Sequence, residues 1–175
     1  MTITIRVNNQ AITDALAQLQ GRVGDISPVL AALGEDVMER TKQRFASATA
    51  PDGARWQSNA QSTLMHYLQE KGGFSAKTGK LSAKGQKLAI NKRPLQGDSG
   101  RLASQFKYDV TSDALTVGST MIYAAMQQYG GTKGQFPNLW GNIPARPFLP
   151  VTPGGELYPG EVDKIVAGIR QYLLE

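Results

Sequence analysis

Between Ser27 and Phe45 apolar side chains return every three or four residues, at Val29, Leu30, Leu33, Val37, Met38 and Phe45, with Thr41 in the same stripe. That is the helical period, sustained for about five turns. A helix of this kind cannot stand alone: its apolar stripe has to be laid on another layer. Ser27-Pro28 reads as an N-cap followed by proline at the first helical position. Pro51-Asp52-Gly53 is a turn signal that ends the helix.

The remaining segments indicate what that layer is. Thr2 to Val7 alternates, with Ile3, Ile5 and Val7 on one face, and predicts a short strand. From Asn9 the period changes to three and four, through Ile12, Ala15, Leu16, Leu19 and Val23, and predicts a helix. A weaker helix is expected over Ala60 to Glu70, and a short helical turn at Asp98 to Leu102, capped by Asp98 or Ser99. Phe106, Tyr108 and Val110, then Leu115 and Val117, alternate on either side of Thr111-Ser112-Asp113-Ala114, which predicts a β-hairpin. Met121 to Tyr129 reads as a helix stopped by Gly130-Gly131. An arm rich in Gly, Pro and Asn leads to Ile143 to Leu149, whose prolines suit an edge strand or an extended segment. Val162, Ile165, Val166, Ile169, Leu173 and Leu174 define a C-terminal helix. The expected class is α+β: a small, mainly antiparallel sheet packed against the long N-terminal helix and the C-terminal one, in a single domain spanning 1–175.

With 175 residues the chain can bury roughly 70% of its unfolded surface without staples. It has no cysteine, which excludes disulfides, thiolate nucleophiles and cysteine-based metal sites, and fits a reducing cytoplasm. Met1 to Val7 lacks the features of a signal peptide, and no apolar run approaches a membrane span, so a soluble product is expected. The net charge of +5 is local. Lys71, Lys77, Lys80, Lys84, Lys87, Lys92 and Arg93 fall between 71 and 97 with no Asp or Glu among them. This stretch, rich in Gly, Lys and Ser and without a clear amphipathic period, is expected to be a long flexible loop, with DNA as a candidate contact.

Catalytic chemistry finds little support. Gly97-Asp98-Ser99-Gly100 matches the surroundings of a trypsin-like nucleophile, but His66 is the only histidine and no Asp lies between it and Asp98. Gly73 to Lys80 is out of register for a P-loop, and Leu81 stands where Ser or Thr would hold magnesium. Gly131-Thr132-Lys133-Gly134 is followed by Phe136-Pro137-Asn138 where a KH helix should begin. A lone His66 makes a poor metal site. Asp25, Glu35, Asp36 and Glu39 cluster around the start of the long helix, where acids favour its dipole. Trp56, Phe106, Tyr108, Tyr123 and Phe148 read as core aromatics rather than base-stacking platforms. No catalytic residue, cofactor or metal is assigned, and elimination leaves a binding or assembly role.

Three separated segments carry a resemblance. Pro51, Gly53 and Trp56 form a P-x-G-x-x-W pattern. Gly100-Arg101-Leu102 leads through the hairpin to Tyr123-Ala124-Ala125-Met126-Gln127-Gln128-Tyr129-Gly130, similar to a YAxxHQxG box. Ile143-Pro144-Ala145-Arg146-Pro147-Phe148-Leu149 is close to IPARPFL. In order and spacing these resemble the phage virion morphogenesis family, which includes Mu-type tail-completion proteins, over residues from about 30 to 150. One departure is Gln127, where histidine is common. The resemblance implies a non-enzymatic protein of the virion that completes the tail or joins it to the head, as a ring of identical subunits with sixfold symmetry expected. Its partners would be itself and other neck, connector or tail proteins, with DNA in the lumen as a further candidate. The alternative is a basic nucleic-acid-binding protein that uses the 71–97 stretch. Trp56 and Arg146 are expected to be structural, with Trp56 closing the sheet edge and Arg146 donating to carbonyls or a carboxylate. Phe136, Leu139 and Trp140 on the arm are expected to meet a neighbouring subunit.

Overall fold

The long stripe forms helix α2, Ser27–Ser47. Its buried face is Val29, Leu33, Gly34, Val37, Thr41, Arg44 and Phe45, repeating at three and four as an amphipathic helix requires. The computed structural model describes residues 10–97, 99–139 and 141–174, with the side chains of 10–13, 15 and 16 outside that description. The strand expected over Thr2 to Val7 lies outside the described residues, as do Asp98 and Trp140.

The start of α2 differs from expectation. Ile26, not Ser27, occupies the cap position and makes no side-chain cap. Asp25 Oδ1 instead accepts from the Ser27 amide at 3.0 Å, two residues earlier than the Ser-Pro pair suggested. The helix ends at Ala48 in the left-handed conformation, and its amide returns to Arg44 O.

The layer beneath α2 is a hairpin, β1 Phe106–Val110 and β2 Leu115–Ser119, antiparallel with Tyr108 opposite Val117. Phe106, Tyr108, Val110, Leu115 and Val117 point toward α2, while Lys107, Asp109 and Thr116 face solvent. The approach is close. A Cβ on Gly34 would lie 2.7 Å from the Tyr108 ring, so only a glycine lets the helix settle onto the hairpin here. Helix α7, Glu161–Leu174, packs on α2 from another side, and the start of α7 is deeply buried at Glu161. Its inner face is Ile165, Gly168, Ile169 and Tyr172 rather than the whole apolar set, because Val162, Val166 and Leu174 are exposed. Helix α1, Gln10–Gly24, is tied to α7 through Arg22 Nη1 donating to Tyr172 O and Tyr172 Oη donating to Asp25 O.

The 71–97 stretch requires a correction. It is not an uninterrupted loop: Ala83–Asn91 forms helix α4, nine residues long, facing α3, Gln61–Glu70. Ser82 caps it by accepting from the Gly85 amide at 3.1 Å, and the Ser82 hydroxyl donates to Gly73 O at 2.8 Å. Residues 74 and 81 form a bridge that folds the intervening segment back on itself. The helix escaped notice because it buries glycine instead of an apolar side chain: Gly85 sits against the Gly73 backbone beside Leu68 and Leu81. A hydropathy period cannot register a contact made by backbone.

The short helices α5, Arg101–Ser104, and α6, Ala124–Tyr129, complete the described elements. Ser99 does not cap α5: the cap position is Gly100, in a left-handed conformation and with no side-chain hydrogen bond to the helix.

Candidate functional site

Phe148 has no exposed surface and belongs to the hydrophobic core cluster with Phe45, Trp56, Leu102, Phe106 and Ala124. Its ring lies 5.2 Å from that of Phe45 and 5.6 Å from that of Phe106, and Phe45 in turn meets Trp56 edge-on at 5.3 Å. These four rings come from α2, the turn after it, the hairpin and the segment after the arm. The three sequence patterns therefore meet at one place.

Their chemistry explains why. Pro144 and Pro147 lack backbone donors, so the 143–149 segment cannot run as an ordinary strand in a ladder. Beyond the Gly131–Ile143 bridge it is extended, and its backbone is held largely by side chains. Gln128, almost wholly buried, does most of this: Oε1 accepts from the Phe148 and Leu149 amides at 2.8 and 2.9 Å. Its Nε2 donates to Leu149 O at 3.2 Å and to Val151 O at 3.0 Å. A single amide side chain thus stands in for a neighbouring strand. Trp56 Nε1 donates to Pro147 O at 2.9 Å, and Arg44 Nη1 to Phe148 O at 2.8 Å. Trp56 does not close the sheet edge; it ties the 51–56 turn to the proline segment and packs on Phe45.

The turn itself is built for that reach. Gly53 adopts φ +84°, its amide returns to Ala50 O, and the Trp56 amide returns to Ala48 O, so Pro51-Asp52-Gly53 brings Trp56 back over the end of α2. At the end of α6, Gly130 adopts φ +71°, and a Cβ there would lie 2.7 Å from the Ala145 amide nitrogen. Only glycine satisfies both demands. Ala124 and Leu102 fill the same core cluster, and Gly100 begins the turn that places Leu102.

Arg146 is buried, donating from Nε to Gln57 O at 2.9 Å and from Nη2 to Ser58 O at 3.1 Å, while its own amide donates to Gln127 O. Burial pushes its pKa down, yet a guanidinium stays charged at neutral pH. It forms one wall of a cleft of about 660 Å³, also lined by Arg93, Arg101, Tyr123 and Gln127. Tyr123 is exposed there and does not join the core as its pattern suggested, because it precedes α6 instead of lying within it.

The sequence reading missed one group altogether. Glu161 is 1% exposed, and its Oε1 accepts from Arg44 Nη2 and Lys164 Nζ, each at 2.9 Å; Oε2 lies 3.4 Å from Arg40 Nη2. Arg40 also pairs with Asp36. Burial alone would raise the Glu161 pKa, but the Lys164 hydrogen bond and the Arg44 and Arg40 charges outweigh it and hold the carboxyl below its ordinary range. Arg44 sits at a buried position of the α2 stripe that hydropathy assigns to an apolar residue, so only its partner 117 positions away reveals its role.

Six of the seven cations of 71–97 divide into two sets. Lys92 lies over the Tyr67 ring at 4.3 Å and donates to Gln96 O, and Arg93 donates to Ala46 O. Lys77, Lys80, Lys84 and Lys87 are exposed and enter no ion pair among the described residues. Lys71 is half-buried near the end of α3. On the arm, Phe136 is 46% exposed and Leu139 half-buried.

His66 is exposed on α3, 3.7 Å from Glu70. Among the described residues no group of three or more acidic or histidine side chains is placed to hold a metal ion, and no helix is long and apolar enough to cross a membrane.

No solved structure matches the chain. Over 174 residues, 98% of this chain and 99% of the relative, it is 26% identical to the Escherichia phage Mu protein named capsid assembly protein G. A profile of the phage virion morphogenesis family matches residues 7–163, which takes in all three patterns and the core they build. The chain belongs to the phage virion morphogenesis family, and its role is structural, in the assembly of the phage particle.

Proposed function

We propose that this protein completes the phage tail or joins it to the head, acting as a homo-oligomeric ring of six copies at the neck or tail end rather than as an enzyme. The observation that carries the reading is how the patterned residues are used. Trp56, Gln128, Gly130 and Arg146 are engaged in fixing the 143–149 backbone, while apolar side chains around α6 are left outside. Ile122 is 99% exposed, and Tyr129 and Phe136 are each nearly half exposed. A rigid frame that presents apolar side chains suits a subunit that docks onto copies of itself, since clustered exposed apolar surface marks interfaces. The arm from Gly131 to Phe148 then packs in part on a neighbour, and other neck, connector or tail proteins meet the faces of the ring.

Light scattering on the purified protein tests this. A six-copy mass that falls to a monomer in Ile122→Glu/Phe136→Glu, with the helical spectrum unchanged, is expected. A wild-type protein that stays monomeric at tens of micromolar and appears as single copies in the particle would defeat it. Cryo-EM of the neck showing Phe136 and Leu139 packed solely within their own subunit would remove the arm from the interface.

A further inference from the structure

The α3–α4 unit, residues 61 to 91, is set apart from the main core. Its only deeply buried apolar side chain is Leu68, closed over by the Gly73 and Gly85 backbones. It is fastened at its base, where Asn59 Nδ2 donates to Lys92 O, Lys92 covers Tyr67, and Arg93 reaches Ala46 O on α2. Two cations of the basic stretch are thereby committed to anchoring. Four others, Lys77, Lys80, Lys84 and Lys87, occupy the folded-back turn and the first half of α4. The Ser75 amide donates to Lys80 O and closes that turn, and the Phe74–Leu81 bridge sets it immediately before α4. Lys84 and Lys87 are three residues apart on the helix, one turn and about 4.5 Å along its axis. No acidic residue interrupts the sequence from 71 to 97.

We propose that this lysine face of the α3–α4 unit binds the phosphate backbone of duplex DNA without reading its sequence. Four solvated ammonium groups, each able to meet a phosphate oxygen as a point charge, match a polyanion and release its counterions. Residues 75–91, which hold the four lysines, include no arginine and no aromatic side chain, so they offer neither bidentate base recognition nor base stacking. An acidic protein partner fits less well, because lysine is depleted at protein interfaces and the usual Trp, Tyr and Arg anchors are missing. Ile90, 83% exposed near the end of α4, is the most exposed apolar side chain of the unit and the one that would most favour a protein partner, and it serves as a control. The inference stands on the charge and geometry of this unit alone. It does not depend on the ring.

The test is fluorescence anisotropy of the full chain with a labelled duplex of random sequence, titrated between 50 and 200 mM salt. Four phosphate contacts give a log–log salt slope of about −3.6, so affinity falls roughly 150-fold over that range. Lys84→Gln/Lys87→Gln should halve the slope, leaving a fall of roughly tenfold, with the melting temperature unchanged. Lys107→Gln, on the solvent face of the hairpin, and Ile90→Ser should bind as wild type does. Absence of binding at 50 mM salt, or an unaltered slope in the double variant, overturns the proposal. So does stronger binding to poly-L-glutamate than to the duplex at matched ionic strength, which would assign the face to an acidic protein. None of these failures touches the oligomeric mass, so they are separable from a failure of the assembly reading.

Discussion

Gln128 shows how much one side chain can carry. Its amide makes four hydrogen bonds, to two amides and two carbonyls of the proline segment. Gln128→Leu keeps the volume and removes all four. Each buried group left without a partner costs on the order of 1–3 kcal/mol, so the variant should unfold at much lower urea than wild type; an unshifted midpoint would mean that water replaces the amide. Glu161 makes a second prediction at this scale. Its folded-state pKa is depressed, so its contribution is full above the unfolded value and is lost as pH falls through the folded one. Wild type should therefore lose stability steeply on acidification below the ordinary carboxylate range. Glu161→Gln should be weaker at neutral pH, where breaking a buried pair costs about 3–5 kcal/mol, and its urea midpoint should approach that of wild type in acid. Two midpoints that remain equally far apart at low pH would place the stabilisation elsewhere.

Among the elements, α2 is the most predictable and α4 the least. The α2 stripe was legible because Val29, Leu33, Val37, Thr41 and Phe45 follow the helical period, although Arg44 and Gly34 are inside for reasons that period cannot express. One is matched to Glu161 and the other to the Tyr108 ring. At α4 the same logic fails, since the contact that holds it is Gly85 on Gly73. A Cβ at Gly85 would collide with the Gly73 carbonyl oxygen. Gly85→Ala should thus loosen the α3–α4 unit alone: limited trypsin should cut at Lys84 and Lys87 faster than in wild type, while the thermal transition reported by tryptophan fluorescence stays in place. Simultaneous loss of both would show that the unit and the core unfold together.

For the molecule as a whole, the core is a meeting of distant segments rather than a product of any one element. Phe45, Trp56, Phe106 and Phe148 span 103 positions of sequence between the first and last of them, and each belongs to a different segment. Trp56→Ala should cost about 3–5 kcal/mol, as large-to-small core substitutions of aromatics do. It also leaves Pro147 O without its donor, and should lower the melting temperature by many degrees in a single transition. Arg146→Ala should lower it too, through the carbonyls of Gln57 and Ser58. If neither substitution moved the transition, the junction would not be what holds the chain together.

Periodicity and turn chemistry by themselves determined the α+β class, the helices around α2 and α7, the hairpin between Phe106 and Ser119 and the stop at Gly130, because each depends on neighbours within a few residues. The three short patterns also mark Trp56, Gln128, Gly130 and Arg146, though not what those side chains touch. Tertiary structure alone decided that Gln128 replaces a strand and that Arg44 answers Glu161. It alone decided that Tyr123 faces a cleft, that Gly85 closes a helix, and that six of the seven clustered cations divide into anchors and solvated lysines. In every one of those cases the partner lies far away in sequence or is backbone, and neither leaves a mark on local hydropathy.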